Sequence, residues 1–208
     1  MAQVAAGLDS TCAVDSEGTV SCWGLDDRGQ LGRGLLTGVA SIPANIDDGV
    51  LGDQPSAVRA VTVGDRFACA VTMTGEVWCW GANDRAQLGG GVGEDASSPS
   101  QIAALSGITR LSAGASHACA VDGDSHASCW GDNGTQQSAG AADDVIAAPT
   151  LVVDEQGHAL AVLDVAAGAA HTCGRATDAV SCWGDNASGE IGDGTSGPAR
   201  WPTEPICP

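Results

Sequence analysis

Apolar residues come in short runs broken by Gly, Asn, Asp and Pro, and within the runs they alternate. Val20 and Cys22 fall on one side, Ser21 and Trp23 on the other. A period of two places successive side chains on opposite faces of an extended strand, so the pattern predicts β structure and not helix. Four stretches superimpose: VAAGLDSTCAVDSEGTVSCWG from Val4, VTVGDRFACAVTMTGEVWCWG from Val61, LSAGASHACAVDGDSHASCWG from Leu111 and VAAGAAHTCGRATDAVSCWG from Val165. The spacings Cys12 to Cys69, Cys69 to Cys119 and Cys119 to Cys173 are 57, 50 and 54 residues. Four units of about this length fill residues 1–208, read as a single repeat domain with units near 1–57, 58–107, 108–161 and 162–208.

In the first unit the pattern predicts strands over 3–6, 10–15, 19–24 and about 43–46. Pro43 lies 20 residues after Trp23, and Pro99, Pro149 and Pro202 each lie 19 after Trp80, Trp130 and Trp183, which suggests a fourth strand led by proline in every unit. Four short strands per repeat of roughly fifty residues predict an all-β propeller of four-stranded antiparallel blades.

The cysteines fix the register of the central hairpin. Cys12 and Cys22 are equidistant from Glu17, so Val14 faces Val20 and Cys12 faces Cys22 across a Ser16-Glu17-Gly18 loop with Gly18 in the left-handed position. The same centring pairs Cys69 with Cys79, Cys119 with Cys129, and Cys173 with Cys182, the last around a two-residue Thr177-Asp178 loop. Opposed residues on antiparallel strands come within disulfide reach, so four cross-strand disulfides are expected. The rival is zinc, because His117 and His171 share a strand face with Cys119 and Cys173; against it, Ser10 and Phe67 stand at the matching positions and no Cys-x-x-Cys occurs. Cys207 is left without a partner in this scheme.

Composition narrows the function. Eight basic against 26 acidic residues give a net charge of −18, which repels phosphate backbones, so nucleic acid is not an expected partner. No long apolar run predicts a membrane span, and the first residues lack the basic start and apolar core of an export signal. Neither the hydrolase, metalloprotease, phosphate-loop nor dinucleotide signature occurs, so no catalytic, cofactor or metal site is assigned. The carboxylate pairs, including Asp185-Asn186-Ala187-Ser188-Gly189-Glu190, read as solvated turns with calcium as the alternative. The distance from each late proline to the next unit varies most, which makes 46–60 and 152–164 the leading contact loops, with Asp47, Asp48, Asp53, Asp154, Glu155 and His158 as candidate protein-contact residues. Trp78 and Trp201 fall outside the repeat register and are either surface contacts or half-buried packing.

The series Ala-Gly-x-x-His-x-Cys-Ala-Val followed by x-Val-x-Cys-Trp-Gly-x-Asn-x-x-Gly-Gln-Leu-Gly resembles the regulator of chromosome condensation repeat in its cysteine-rich bacterial style. The resemblance covers all four units and implies a β-propeller, usually of seven blades where this chain supplies four, so the four are expected to be part of a larger ring, to close by themselves or to be completed by a second chain. It places His117 and His171 near the propeller axis as structural residues hydrogen-bonded to neighbouring backbone. It also implies protein recognition: nucleotide exchange on a small GTPase and chromatin binding in eukaryotes, inhibition of a secreted β-lactamase in bacteria. With the cysteines and the acidity, the expectation is a non-enzymatic, disulfide-stapled protein binder, secreted or at a cell surface, from a high-GC bacterium. The alternative is a structural or adhesive segment of a larger surface protein that assembles with copies of itself as a homo-oligomer.

Overall fold

The computed structural model describes residues 3–46, 57–138 and 143–204. These form sixteen strands in four sheets of four, each antiparallel and each built from strands consecutive in the chain. Blade 1 holds β1 (Gln3–Ala6), β2 (Ser10–Val14), β3 (Val20–Asp26) and β4 (Gly38–Asn45). Blade 2 holds β5 (Val58–Val63), β6 (Phe67–Thr72), β7 (Val77–Gly81) and β8 (Ala96–Gln101), and blade 3 holds β9 (Ile108–Ala113), β10 (His117–Asp122), β11 (Ala127–Asp132) and β12 (Val145–Leu151). Blade 4 comprises β13 (Asp164–Ala167), β14 (His171–Arg175), β15 (Val180–Gly184) and β16 (Ala199–Thr203).

The first strands of the blades are innermost: β1 packs on β5, β5 on β9 and β9 on β13. No corresponding packing joins β13 back to β1 among the described residues, so the blades form an arc with two outer faces.

The central hairpins follow the register read from the cysteines. Cys12 opposes Cys22, Cys69 opposes Cys79, Cys119 opposes Cys129 and Cys173 opposes Cys182. All four pairs lie at disulfide distance, with S–S of 2.12, 2.09, 2.02 and 2.08 Å and Cα–Cα of 4.1 Å. In the chain-entropy account, closing a loop of this length stabilises by about 2–3 kcal/mol. Turn chemistry agrees: Asp15 N–H donates to the Thr19 carbonyl and Gly18 takes φ +85°.

The fourth strands differ from expectation. The prolines do not lead them: Pro43, Pro99, Pro149 and Pro202 sit near their ends, and β4 begins at Gly38. In all four blades the register slips beside the Cys-Trp-Gly segment. Cys22 faces Ala44 while Gly24 faces Ala40, and the same four-against-two step recurs at Cys79, Cys129 and Cys182. Each proline lies in that bulge on an outermost strand, where its missing N–H and fixed φ cost the ladder nothing.

Adjacent blades meet through one repeated junction. The cysteine-bearing face of one blade receives the tryptophan-bearing face of the next. Cys12, Val14, Val20, Cys22 and Leu31 pack on Val61, Val63, Ala68, Ala70 and Trp80, and the same arrangement puts Trp130 on blade 2 and Trp183 on blade 3. These three tryptophans are fully buried. Each donates its Nε1–H to the preceding blade, to the carbonyls of Gln30 (3.0 Å), Gln87 (2.8 Å) and Gln137 (2.8 Å).

Candidate interaction surfaces

Because the strands alternate in direction, one end of the arc carries the turns within the first strand pairs and the long loops after Cys-Trp-Gly. The other carries the central hairpins and the connections between blades.

At the first end the loops are built around a buried side-chain oxygen. Asp26, Asn83, Asn133 and Asn186 accept N–H from Leu31, Leu88, Ser138 and Ile191, each five residues on, and Asp26 also accepts from Thr37. The glutamines at the tips act likewise, Gln30, Gln87 and Gln137 accepting from Arg28, Arg85 and Thr135. The Asn and Gln of the repeat signature therefore shape the loop that presents a carbonyl to the next tryptophan. In blade 4 the carboxylates do the same closing work, Asp185 accepting from Ala187 N–H and Glu190 from Ser188 N–H. Among the described residues no three His, Cys, Asp or Glu converge as a metal-holding group.

Arginines cross the blade boundaries on this end. Arg28 binds Asp95 through two nitrogens and reaches Asp84 at 3.3 Å, Arg66 meets Asp27 at 3.1 Å, and Arg85 meets Asp132 at 3.6 Å. The hydrogen bond from Arg28 lowers the Asp95 pKa and raises that of the guanidinium. These pairs are partly exposed, so each stabilises by about 1 kcal/mol or less.

The Ala-Gly-x-x-His signature has a packing reason. The His117 ring lies over Gly114, where a Cβ would stand 2.2 Å from Cε1, and Phe67 covers Gly64 in the same way. His117 does not bond to backbone as the resemblance implied: its Nε2 meets Thr172 Oγ1 of blade 4 at 2.8 Å. Thr172 donates its own hydroxyl hydrogen to the Gln137 carbonyl at 2.9 Å. Nε2 must then be the protonated nitrogen, which leaves Nδ1 buried without a partner. Burial, with a smaller contribution from His171, lowers the His117 pKa to about 4.

Of the candidate contact residues, Asp154, Glu155 and His158 lie at the second end. Asp47, Asp48 and Asp53 lie outside the described residues, as does Cys207. Residues 152–163 form an extra hairpin. Val153 bridges Ala159 and His126 bridges Ala161. Buried Val152 and Val162 anchor its base, and Asp154, Glu155 and His158 are brought together at its tip. Asp154 accepts N–H from Gln156 and His158 and meets His158 Nδ1 at 3.0 Å; these bonds, the His158 backbone first, lower its pKa. This hairpin was missed in the sequence, although Val152, Leu160 and Val162 among polar residues carry its signal. Trp78 is half-buried with its Nε1 unpartnered, and half-buried Trp201 lies under Arg200, whose guanidinium carbon is 5.2 Å from the ring centroid.

The four blades, their Cys-Trp-Gly junctions and their Asn-Gln loops define a repeat propeller. The regulator of chromosome condensation (RCC1) repeat model matches residues 1–30, 58–87, 108–137 and 162–190, and a second model of that repeat matches 74–121. The chain belongs to this family. It is 36% identical over 107 residues to the Arabidopsis thaliana ultraviolet-B receptor UVR8, a match covering 50% of this chain and 23% of that protein. Among solved structures, human WBSCR16 superimposes with a TM-score of 0.85 at 21% identity, covering 99% of this chain and 53% of that one. Prp20p of Saccharomyces cerevisiae gives 0.79 at 20%, covering 97% and 50%. The chain thus spans about half the length of these propellers, and they share its fold.

Proposed function

We propose that the chain is a protein-binding propeller segment that acts by recognition and not by catalysis, outside the cytoplasm. The observation carrying this is the 152–163 hairpin, a built and anchored projection whose tip exposes Asp154, Glu155 and His158. Ordering such a tip before contact lowers the entropic cost of binding, and its carboxylates on a chain of net charge −18 steer cationic surfaces towards it. Family membership supports a binding role: Prp20p is described with its binding to Gsp1p and histones. Four cysteine pairs at disulfide distance support an oxidising compartment.

The test is surface binding of purified proteins graded from acidic to basic. Basic probes should be retained, released as salt screens the field, and bound several-fold more weakly by D154N/E155Q/H158A. Retention indifferent to probe charge and to these substitutions would sink the reading. Intact mass of protein taken from its source, alkylated before and after reduction, checks the compartment: four reducible bridges are expected, and free thiols throughout would place it in a reducing one.

A further inference from the structure

The two outer faces of the arc are the two halves of the junction repeated three times inside it. On blade 1 the tryptophan face is uncovered. Trp23 is half-exposed where Trp80, Trp130 and Trp183 are fully buried, and Val4 is 59% exposed where its counterpart Val61 is 2%. The Trp23 Nε1–H has no acceptor among the described residues. Further large apolar residues stand exposed on the same blade, including Leu35, Leu36, Val39 and Ile42. A concentration of this kind marks a contact surface more than scattered single residues do.

On blade 4 the cysteine face is uncovered. Cys173 is partly exposed where Cys12, Cys69 and Cys119 are fully buried, and Val180 is 39% exposed where Val20 and Val77 are 2% and 0%. A groove there is lined by Val165, Ala166, Cys173, Gly174 and Val180, with Asp164 and Arg175 at its edge. In the loop above, Glu190 stands seven residues after Trp183, as Gln30, Gln87 and Gln137 stand after Trp23, Trp80 and Trp130, and its carbonyl is the acceptor position of a fourth junction. On this face Arg175 replaces Val14, Val71 and Val121. It lies at the hairpin end of its strand opposite Asp164, as Asp15 lies at the hairpin end beside Trp23 on the other outer face.

We infer that the occupant of each face is a second copy of this chain, docked head to tail. Trp23 of one copy seats on the Cys173–Cys182 face of the other and donates Nε1–H to the Glu190 carbonyl. The interface is heterologous, and two such contacts made reciprocally close a ring of eight blades. The three internal junctions argue for this occupant over an unrelated partner, since they show what each face accepts: an indole on an aliphatic, cysteine-bearing sheet with a loop carbonyl above it.

Light-scattering mass across the micromolar range tests it. The oxidised chain should run at twice its 20.5 kDa mass, and W23R and V180D should each run as single chains with four disulfides intact. Both positions are at least partly exposed in one chain, so neither change threatens the fold. An equimolar mixture of the two variants should recover pairs, because W23R keeps its blade 4 face and V180D keeps its blade 1 face. A single-chain mass for the unsubstituted protein would overturn the proposal. So would pairs that survive both substitutions, variants that fail to complement, or a ladder of masses in place of a closed pair.

Discussion

Trp130 and Trp23 occupy the same place in the same Cys-Trp-Gly segment, yet one is fully buried with its indole N–H satisfied and the other is half-exposed with none. The same contrast separates Cys119 from Cys173 and His117 from His171. Each pair compares an interior blade with an end blade while the local sequence is held nearly constant. Burial in a repeat arc is therefore a property of the neighbour and not of the motif, and stability divides into what a blade supplies for itself and what its junctions add.

The sharpest way to break the comparison is to truncate the two tryptophans. Trp130→Ala should cost about 3–5 kcal/mol, as expected for a large fully buried side chain, whereas Trp23→Ala should cost about 1 kcal/mol or less in the single chain, where little apolar area is lost. Urea unfolding at low protein concentration reads both, and equal losses would mean that the end face is already covered.

Histidine gives the next effect, through pH. His117 has its folded pKa lowered from 6.5 to about 4 by burial. Between those values the unfolded chain binds a proton that the folded chain refuses, so the stabilisation is complete above about 6.5 and is lost as the pH falls towards 4. His117→Phe, which copies Phe67 of blade 2, should remove this slope from the melting temperature measured against pH, while His171→Phe at the half-exposed site should leave most of it. A slope that survives His117→Phe would assign it to other groups.

The smallest difference is kinetic. All four cysteine pairs close loops of nearly the same length, so their contributions to stability are alike at about 2–3 kcal/mol. Access is not alike. In the single-chain variant W23R under limiting reductant, Cys173 and Cys182 should be alkylated first, on the order of ten-fold faster than Cys119 and Cys129, as read by peptide mass spectrometry. A common rate would show that reduction waits for global unfolding.

Much of the blade could be read from the sequence because its constraints are local. The cysteine spacings fixed every central hairpin, and Gly18 and the Thr177-Asp178 turn followed. The fourth strands begin before their prolines because an outermost strand accommodates a proline in a bulge, so proline position does not mark the strand start. The 152–163 hairpin escaped because its ladder is only two isolated bridges, too short to show alternation. The cross-blade contacts, Arg28 with Asp95 and His117 with Thr172, join residues 67 and 55 apart, and no periodicity within one unit points across such distances.

The covalent plan carries a consequence for how such proteins change over generations. Every cysteine pair closes within one blade, across 9 or 10 residues, and the contacts that join blades are noncovalent, side chains laid against a neighbour and backbone hydrogen bonds such as Gly34 N–H to the Ser97 carbonyl and Gly91 N–H to the Ala147 carbonyl. A duplication or deletion of one whole unit therefore orphans no cysteine and strands no half-built sheet. It inserts or removes one tryptophan face together with the cysteine face behind it, and the new boundary is again a junction of the old kind. Blade number in this architecture is open to genetic drift in a way that a network of bridges between blades would forbid.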